Sequence, residues 1–306
     1  MKQNEKAKQT VLLRSVVKKL LNGRLIAHIL KRFAYLLVSN VIWLGLGILM
    51  FALANYAVLY RDVPPLSGDQ SLLKLQPSLS ILPRPDSLSS IIKYQWRKRY
   101  TYASYVHDLF AYIQNYERHV ERSRLLDCTH NVAYIDHPKF SCKFSLDLGN
   151  IGCNMGNQYG FDDGQPCVLI RLNRIYGWIP DFGDELVDNS TQNGFPTIKI
   201  KCEGVTDADK ENIGSLCYYD EESALRRTEG FLPDQEGGCS EEYGQIRNYY
   251  YPYKKQLSYQ IPFIWVKFNE LKRNVVIMVQ CWAIVNNIII NKEDGTGYSR
   301  FEFLVD

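Results

Sequence analysis

Apolar and polar positions follow three different rhythms along this chain. From residue 34 to residue 60 the sequence AYLLVSNVIWLGLGILMFALANYAVLY runs for 27 residues without an Asp, Glu, Lys, Arg or His. As a helix rising about 1.5 Å per residue it reaches roughly 40 Å, enough to cross a hydrocarbon core of about 30 Å with some tilt. Tyr35 stands near one end, and Tyr56 and Tyr60 near the other, where amphipathic rings settle at headgroup depth. A second rhythm occupies residues 101–122. There Tyr102, Tyr105, Val106, Leu109, Ile113, Tyr116 and Val120 fall at three- and four-residue spacing, which predicts a helix with one apolar stripe laid on a sheet.

Beyond Cys128 the period becomes two. In CKFSLDLG, Cys142, Phe144, Leu146 and Leu148 share one face, and Lys143, Ser145 and Asp147 the other. CVLIRLNRIYGW, TIKIKCEG, PFIWVKF, NVVIMVQCWAIV and RFEFLVD repeat the theme between Gly, Pro and Asn clusters, while SIIKYQW (90–96) reads as a strand ahead of the helix. Many short, half-buried strands predict an antiparallel sandwich. Between the apolar run and that domain, Pro64, Pro65, Gly68, Pro77, Pro83 and Pro85 disfavour a helix and predict an extended stalk. The expected organisation is therefore 1–33 basic stub, 34–60 transmembrane helix, 61–90 juxtamembrane stalk and 91–306 β-sandwich domain.

Charge gives the span a direction. Residues 1–33 hold nine Lys or Arg against the single acid Glu5, in a chain whose net charge is only +3. The short basic side is expected to stay in the cytoplasm, sending residues 61–306 outside as a type II membrane protein. Residues 11–33 also have an amphipathic face suited to anionic lipid, beside the plainer reading of a solvated basic stub. Ala52 and Ala54 resemble a signal-peptidase site, but the basic region and the apolar run are both too long for a cleaved signal.

All eight cysteines, Cys128, Cys142, Cys153, Cys167, Cys202, Cys217, Cys239 and Cys281, follow the span, a partition that fits oxidation outside the cell. Eight thiols allow 105 pairings, and spacing alone does not choose among them. Strand logic narrows the set: a Cys202–Cys281 bridge would tie distant strands, and 128 with 142 and 153 with 167 would staple consecutive segments, leaving 217 with 239. Cys128, His130, His137 and Cys142 can also be drawn as a zinc site, although such sites favour reducing compartments. Asp162, Asp163 and Gly164 form a turn without the ligand series of an EF-hand. Asp220, Glu221, Glu222, Glu241 and Glu242 lie in polar sequence and read as solvated surface. Asn189 in the triplet Asn189-Ser190-Thr191 is an N-glycosylation acceptor if that part of the chain is outside. No serine-hydrolase elbow, P-loop or zincin motif is present, and no enzyme, cofactor, metal or nucleic-acid partner is expected.

Several segments together carry a resemblance. QPCVLIRLNRIYGW (165–178), NYYYPYKK (248–255) followed by IPFIWVKF, and IIKYQW (91–96), IKC (200–202) and VQC (279–281) fall in the order found in the beta subunit of the sodium/potassium-transporting ATPase family. The tyrosine-rich motif departs from the family pattern YYPYYGK by losing a residue and its glycine, and Cys217 and Cys239 are additional. The stub lacks the family's F-L-G-R-T-like stretch, so the chain looks like a divergent invertebrate-type member.

The resemblance implies an extracellular immunoglobulin-like sandwich with a helix packed on it, and bridges joining Cys128 to Cys142, Cys153 to Cys167 and Cys202 to Cys281. It also implies a non-catalytic partner of a P-type ATPase alpha subunit, which helps that subunit fold and reach the plasma membrane and tunes its potassium and sodium affinities. The residues offer contacts for such a partner. Gly45 and Gly47 with Ala52 and Ala54 admit close helix approach, and Asn40 and Asn55 can bond across it, within a span bounded by Tyr35, Tyr56 and Tyr60. Tyr249, Tyr250, Tyr251, Pro252 and Tyr253 carry stiff amphipathic area of the kind found in interfaces, or else form a tyrosine-rich core edge. Two other classes share the topology: an adhesion ectodomain that no longer assembles with a pump, and a type II glycosyltransferase, which wants an acidic metal-binding triplet such as D-x-D, expected to be absent here.

Overall fold

The computed structural model describes residues 12–18, 23–58, 63–64, 66–71, 75–86, 88–118, 120–128, 140–144, 153–183, 196–221, 223, 239–291 and 296–306. The chain divides into two units, residues 1–65 and 66–306. In the first, helix α1 (Gly23–Val58) is 36 residues long and contains the one helix stretch, Ile26–Ala57, that is long and apolar enough to cross a membrane among the described residues. It starts well before the uncharged run, because nothing between Gly23 and Phe33 breaks a helix. Tyr60 lies outside the described residues.

The second unit is β-rich. A four-stranded sheet has the order β1 (Leu79–Leu82), β5 (Cys167–Leu172), β9 (Phe263–Phe268), β7 (Leu216–Tyr219). A five-stranded sheet has the order β2 (Ile91–Tyr94), β11 (Tyr298–Val305), β10 (Val276–Ile284), β6 (Thr197–Gly204), β8 (Gly244–Arg247). A short pair, β3 (Leu125–Leu126) and β4 (Ser141–Cys142), stands apart. The expectation of an antiparallel arrangement needs two corrections, since β2 pairs parallel with β11 and β3 parallel with β4. Residues 145–150, expected to extend the strand at Cys142, lie outside the described residues.

One hydrophobic core draws on both large sheets. The middle strands β5 and β9 are buried along nearly their whole length rather than on alternate residues. The reason is that both of their faces are covered. On one side Ile264 of β9 meets β8, where a Cβ on Gly244 would come within 2.5 Å of its Cδ1. On the other lies helix α2 (Arg99–Arg118), whose Tyr112 and Tyr116 rings meet Phe263 of β9. Tyr102, Val106 and Leu109 of the expected stripe are buried, and Tyr105, Ile113 and Tyr116 pack against the core. Helix α3 (Asp207–Ile213) lies against β6, where Gly204 has no room for a Cβ beside the Lys210 backbone.

The segment expected as a stalk contributes β1. Leu79 through Leu82 pair antiparallel with Leu172 through Leu169, and Leu79 is buried. The prolines that exclude a helix still permit an extended strand, and Pro83 and Pro85 follow β1 at the sheet edge. The outer edge of β2 is capped by side chains. Tyr105 accepts from the Lys93 N–H, Ser89 from that of Ile91 and Thr101 from that of Gln95. These hydroxyls satisfy donors that an exposed edge would otherwise offer to another chain.

Candidate functional site

The tyrosine-rich segment is built differently from an exposed partner patch. After β8 the chain makes a 3-10 turn, Asn248–Tyr250, and passes through a cis Tyr251–Pro252 bond. Tyr250 and Tyr251 are only 3% and 6% exposed, and Pro252 is also buried, so these three residues face the chain's own core. Tyr250 meets Phe144 edge-on, and Tyr251 meets Trp178. The outlying Tyr249 and Tyr253 are half-buried; Tyr253 packs against Tyr259 and lies beneath the Arg174 guanidinium. The side-chain pattern YYYPY cannot distinguish these fates, because it has no period.

The acids next to this segment require a second correction. Asp220 and Glu221, expected on the surface, are 2% and 9% exposed. Asp220 accepts from the backbone N–H of Gln245 at 2.7 Å and of Ser223 at 2.8 Å, tying the end of β7 to β8. Glu221 accepts the hydroxyls of Tyr249 at 3.1 Å and Tyr250 at 2.9 Å. Burial pushes its carboxyl above the ordinary value, while the Tyr250 donation and the Arg247 charge oppose the shift. Burial and the Glu221 charge in turn raise the Tyr250 hydroxyl well above its usual range. Glu241 and Glu242 are exposed, as expected, and Glu222 lies outside the described residues.

All eight cysteines are bonded, as Cys128–Cys142, Cys153–Cys167, Cys202–Cys281 and Cys217–Cys239. Cys202 and Cys281 are far apart in sequence but directly opposite each other on neighbouring strands β6 and β10. With Cys128 and Cys142 sharing a bond, the zinc reading fails; His130, His137 and Asn189 lie outside the described residues. Among the described residues no group of three His, Cys, Asp or Glu side chains is placed to hold a metal. Asp162 receives the Tyr102 hydroxyl at 2.6 Å.

Contrary to expectation, the chain contains a D-x-D triplet, Asp207-Ala208-Asp209. It opens α3 rather than a metal site. Asp209 accepts from the N–H and hydroxyl of Thr206 and from the N–H of Met278, while the Thr206 hydroxyl accepts from the Asp209 N–H in a reciprocal cap. Its oxygens are thus engaged in starting the helix and fixing β10.

In α1, Tyr35 and Tyr56 are 74% and 76% exposed, and Asn40 is exposed. A Cβ at Gly45 or Gly47 meets nothing within 4 Å. The Asn55 amide, expected to bond a neighbour, donates instead to Phe51 of its own helix at 2.9 Å.

The model of the sodium/potassium ATPase beta chain family matches residues 21–303. The chain belongs to that family. Among its relatives, the probable sodium/potassium-transporting ATPase subunit beta-3 of Caenorhabditis briggsae is 29% identical over 253 residues, covering 80% of this chain and 70% of that protein. The sodium/potassium-transporting ATPase subunit beta-2 of Drosophila melanogaster is 26% identical over 274 residues, covering 83% and 78%. The beta-2 subunit of Rhinella marina is 27% identical over 272 residues, covering 85% and 78%.

Proposed function

We propose that this chain is the non-catalytic beta subunit of a P-type ATPase that transports sodium and potassium, or protons and potassium. In this reading it pairs with a catalytic alpha subunit, assists its folding and export to the plasma membrane, and adjusts its cation affinity. The observation that carries the reading is the family match from residue 21 to residue 303, which takes in the apolar helix and the folded unit alike. The helix crosses the membrane with the basic stub in the cytoplasm, and the disulfide-bonded unit, an immunoglobulin-like sandwich, is outside, where Asn189 is glycosylated. Four disulfides support an oxidising environment for that unit.

Contact with the alpha subunit runs through the span, at Gly45, Gly47, Asn40, Tyr35, Tyr56 and Tyr60, and through the outer rings Tyr249 and Tyr253. The test is purification of the full-length protein in mild detergent with mass identification of stoichiometric partners. A large P-type alpha chain is expected, and its reproducible absence would overturn the reading. Exchange of residues 34–60 for poly-leucine assigns the contact: loss of the partner places it in the span, and retention places it on the folded unit.

A further inference from the structure

Trp96 is held between two arginines. The guanidinium carbon of Arg97 lies 3.9 Å from its ring centroid and that of Arg273 3.5 Å. Two guanidinium groups this close to one ring cannot share a face without overlapping, so they occupy opposite faces, roughly 7 Å apart. Both arginines are exposed and stand on turns. Arg97 itself has a φ of 61°, a left-handed backbone that a non-glycine residue adopts at a cost. Lys98, Arg99 and Lys272, their chain neighbours, are exposed too.

These five cations have no carboxylate within ion-pair distance among the described residues, where the ion pairs are Arg124 with Glu121 and Lys210 with Asp207. Acids in their neighbourhood include Asp162 and Asp163, which act on Tyr102 together with Arg99, Glu270, two residues before Lys272, and Asp306, whose backbone carbonyl accepts from the Trp96 N–H. Asp162 already receives the Tyr102 hydroxyl. The cations also surround the start of the 20-residue helix α2, whose first turn contains no acid. A helix start carries partial positive charge, so the chain has gathered like charges where an anion is favoured.

We propose that Arg97 and Arg273, clamped on the two faces of Trp96, form with Lys98, Arg99 and Lys272 a binding surface for a sulfated polysaccharide. Stacking on the indole fixes the guanidinium planes while leaving their N–H edges free, the geometry that grips sulfate oxygens in pairs. Exposed cations carried on two turns and the first residue of α2 suit a linear polyanion bound through its repeated charges. The proposal rests on the placement of the folded unit outside the cell.

The test uses the full-length chain, tagged after residue 306, on intact cells that lack sulfated glycans of their own. Fluorescent heparin is the probe, with desulfated heparin and polyglutamate as comparators. Heparin should bind, with log affinity falling linearly with log salt concentration, and both comparators should bind about tenfold less well or worse. Arg97→Gln with Arg273→Gln should lower heparin binding by about tenfold, and so should Lys98→Gln with Arg99→Gln, which leaves the indole clamp intact. Arg118→Gln with Arg122→Gln, at and just beyond the far end of α2, should change nothing. Equal heparin binding by all variants overturns the site, and equal binding of polyglutamate overturns the assignment to a sulfated glycan. A tag reachable only after permeabilisation overturns the orientation instead, and the variant comparison in permeabilised cells then still decides whether the site exists.

Discussion

Tyr250 donates its hydroxyl to the Glu221 carboxylate, with its oxygen 3.0 and 2.9 Å from the two acceptor oxygens. Glu221 follows β7 in the four-stranded sheet and Tyr250 follows β8 in the five-stranded one, so this contact fastens one sheet to the other beneath the tyrosine-rich segment. Its energetics depend on pH. Burial raises the Glu221 carboxyl above 4.5 in the folded protein, so the folded state holds the proton more tightly than the unfolded state. The stabilisation linked to protonation is fully present below 4.5 and is lost as pH rises through the raised folded value. Thermal unfolding of the purified full-length chain from about pH 7.5 down to about pH 5 should show stability rising on acidification, a rise that Glu221→Gln removes. Glu221→Ala would remove the acceptor that the Tyr249 and Tyr250 hydroxyls share, leaving Tyr250 the Lys143 carbonyl at 3.3 Å, at a cost of about 1 to 3 kcal/mol in all.

The bridge between Cys202 and Cys281 closes a separation of 79 residues, against 14 for Cys128 with Cys142 and for Cys153 with Cys167. Chain-entropy reasoning gives a longer closure the larger effect, about 4.5 kcal/mol compared with about 3 kcal/mol. Denaturant unfolding of paired Cys→Ser variants should therefore rank Cys202→Ser with Cys281→Ser as the most damaging of these three. A smaller loss than that of either short bridge would contradict this ranking.

Phe161 is fully buried where helix α2 meets β2. Its ring lies 5.1 Å from Tyr94, 5.9 Å from Tyr102 and 5.9 Å from Tyr105. Phe161→Ala should destabilise the folded unit by about 3 to 5 kcal/mol through the cavity it leaves. Hydrogen exchange should then show the first half of α2 opening more readily than β9. Uniform loss of protection would mean that the helix does not detach on its own.

Much of the architecture was legible in one dimension. The uncharged run, the helix stripe around Leu109 and the strands at 197–204 and 276–284 follow from local periodicity; the strand at 167–172 is where it is expected, although its burial is continuous rather than alternate. Burial of the site was not. Glu221 reads like any polar-loop acid, and only the docking of β8 beside the end of β7 places two tyrosine hydroxyls against it. The strand β1 was hidden for a related reason: prolines announce that a helix is absent, but whether an extended chain pairs depends on a free sheet edge elsewhere, here that of β5.

The span offers a test that the folded unit cannot confound. A side chain at Gly45 or Gly47 meets no atom of this chain within 4 Å at its Cβ. Gly45→Leu with Gly47→Leu should leave thermal unfolding of the folded unit unchanged while reducing recovery of the alpha chain on the order of tenfold. Unchanged recovery would move the contact away from these two glycines.

The amino-acid order alone determined that one stretch is apolar enough for a bilayer, that its flanks differ in charge, and that the remainder alternates as strands do; each is a property of neighbouring residues and their solvent. Tertiary structure decided which cysteines are neighbours, why β2 runs parallel to β11, that Asp209 caps a helix, and which tyrosines are exposed. Those outcomes depend on which distant segments come together, and burial is a property of the assembled surfaces rather than of any single segment.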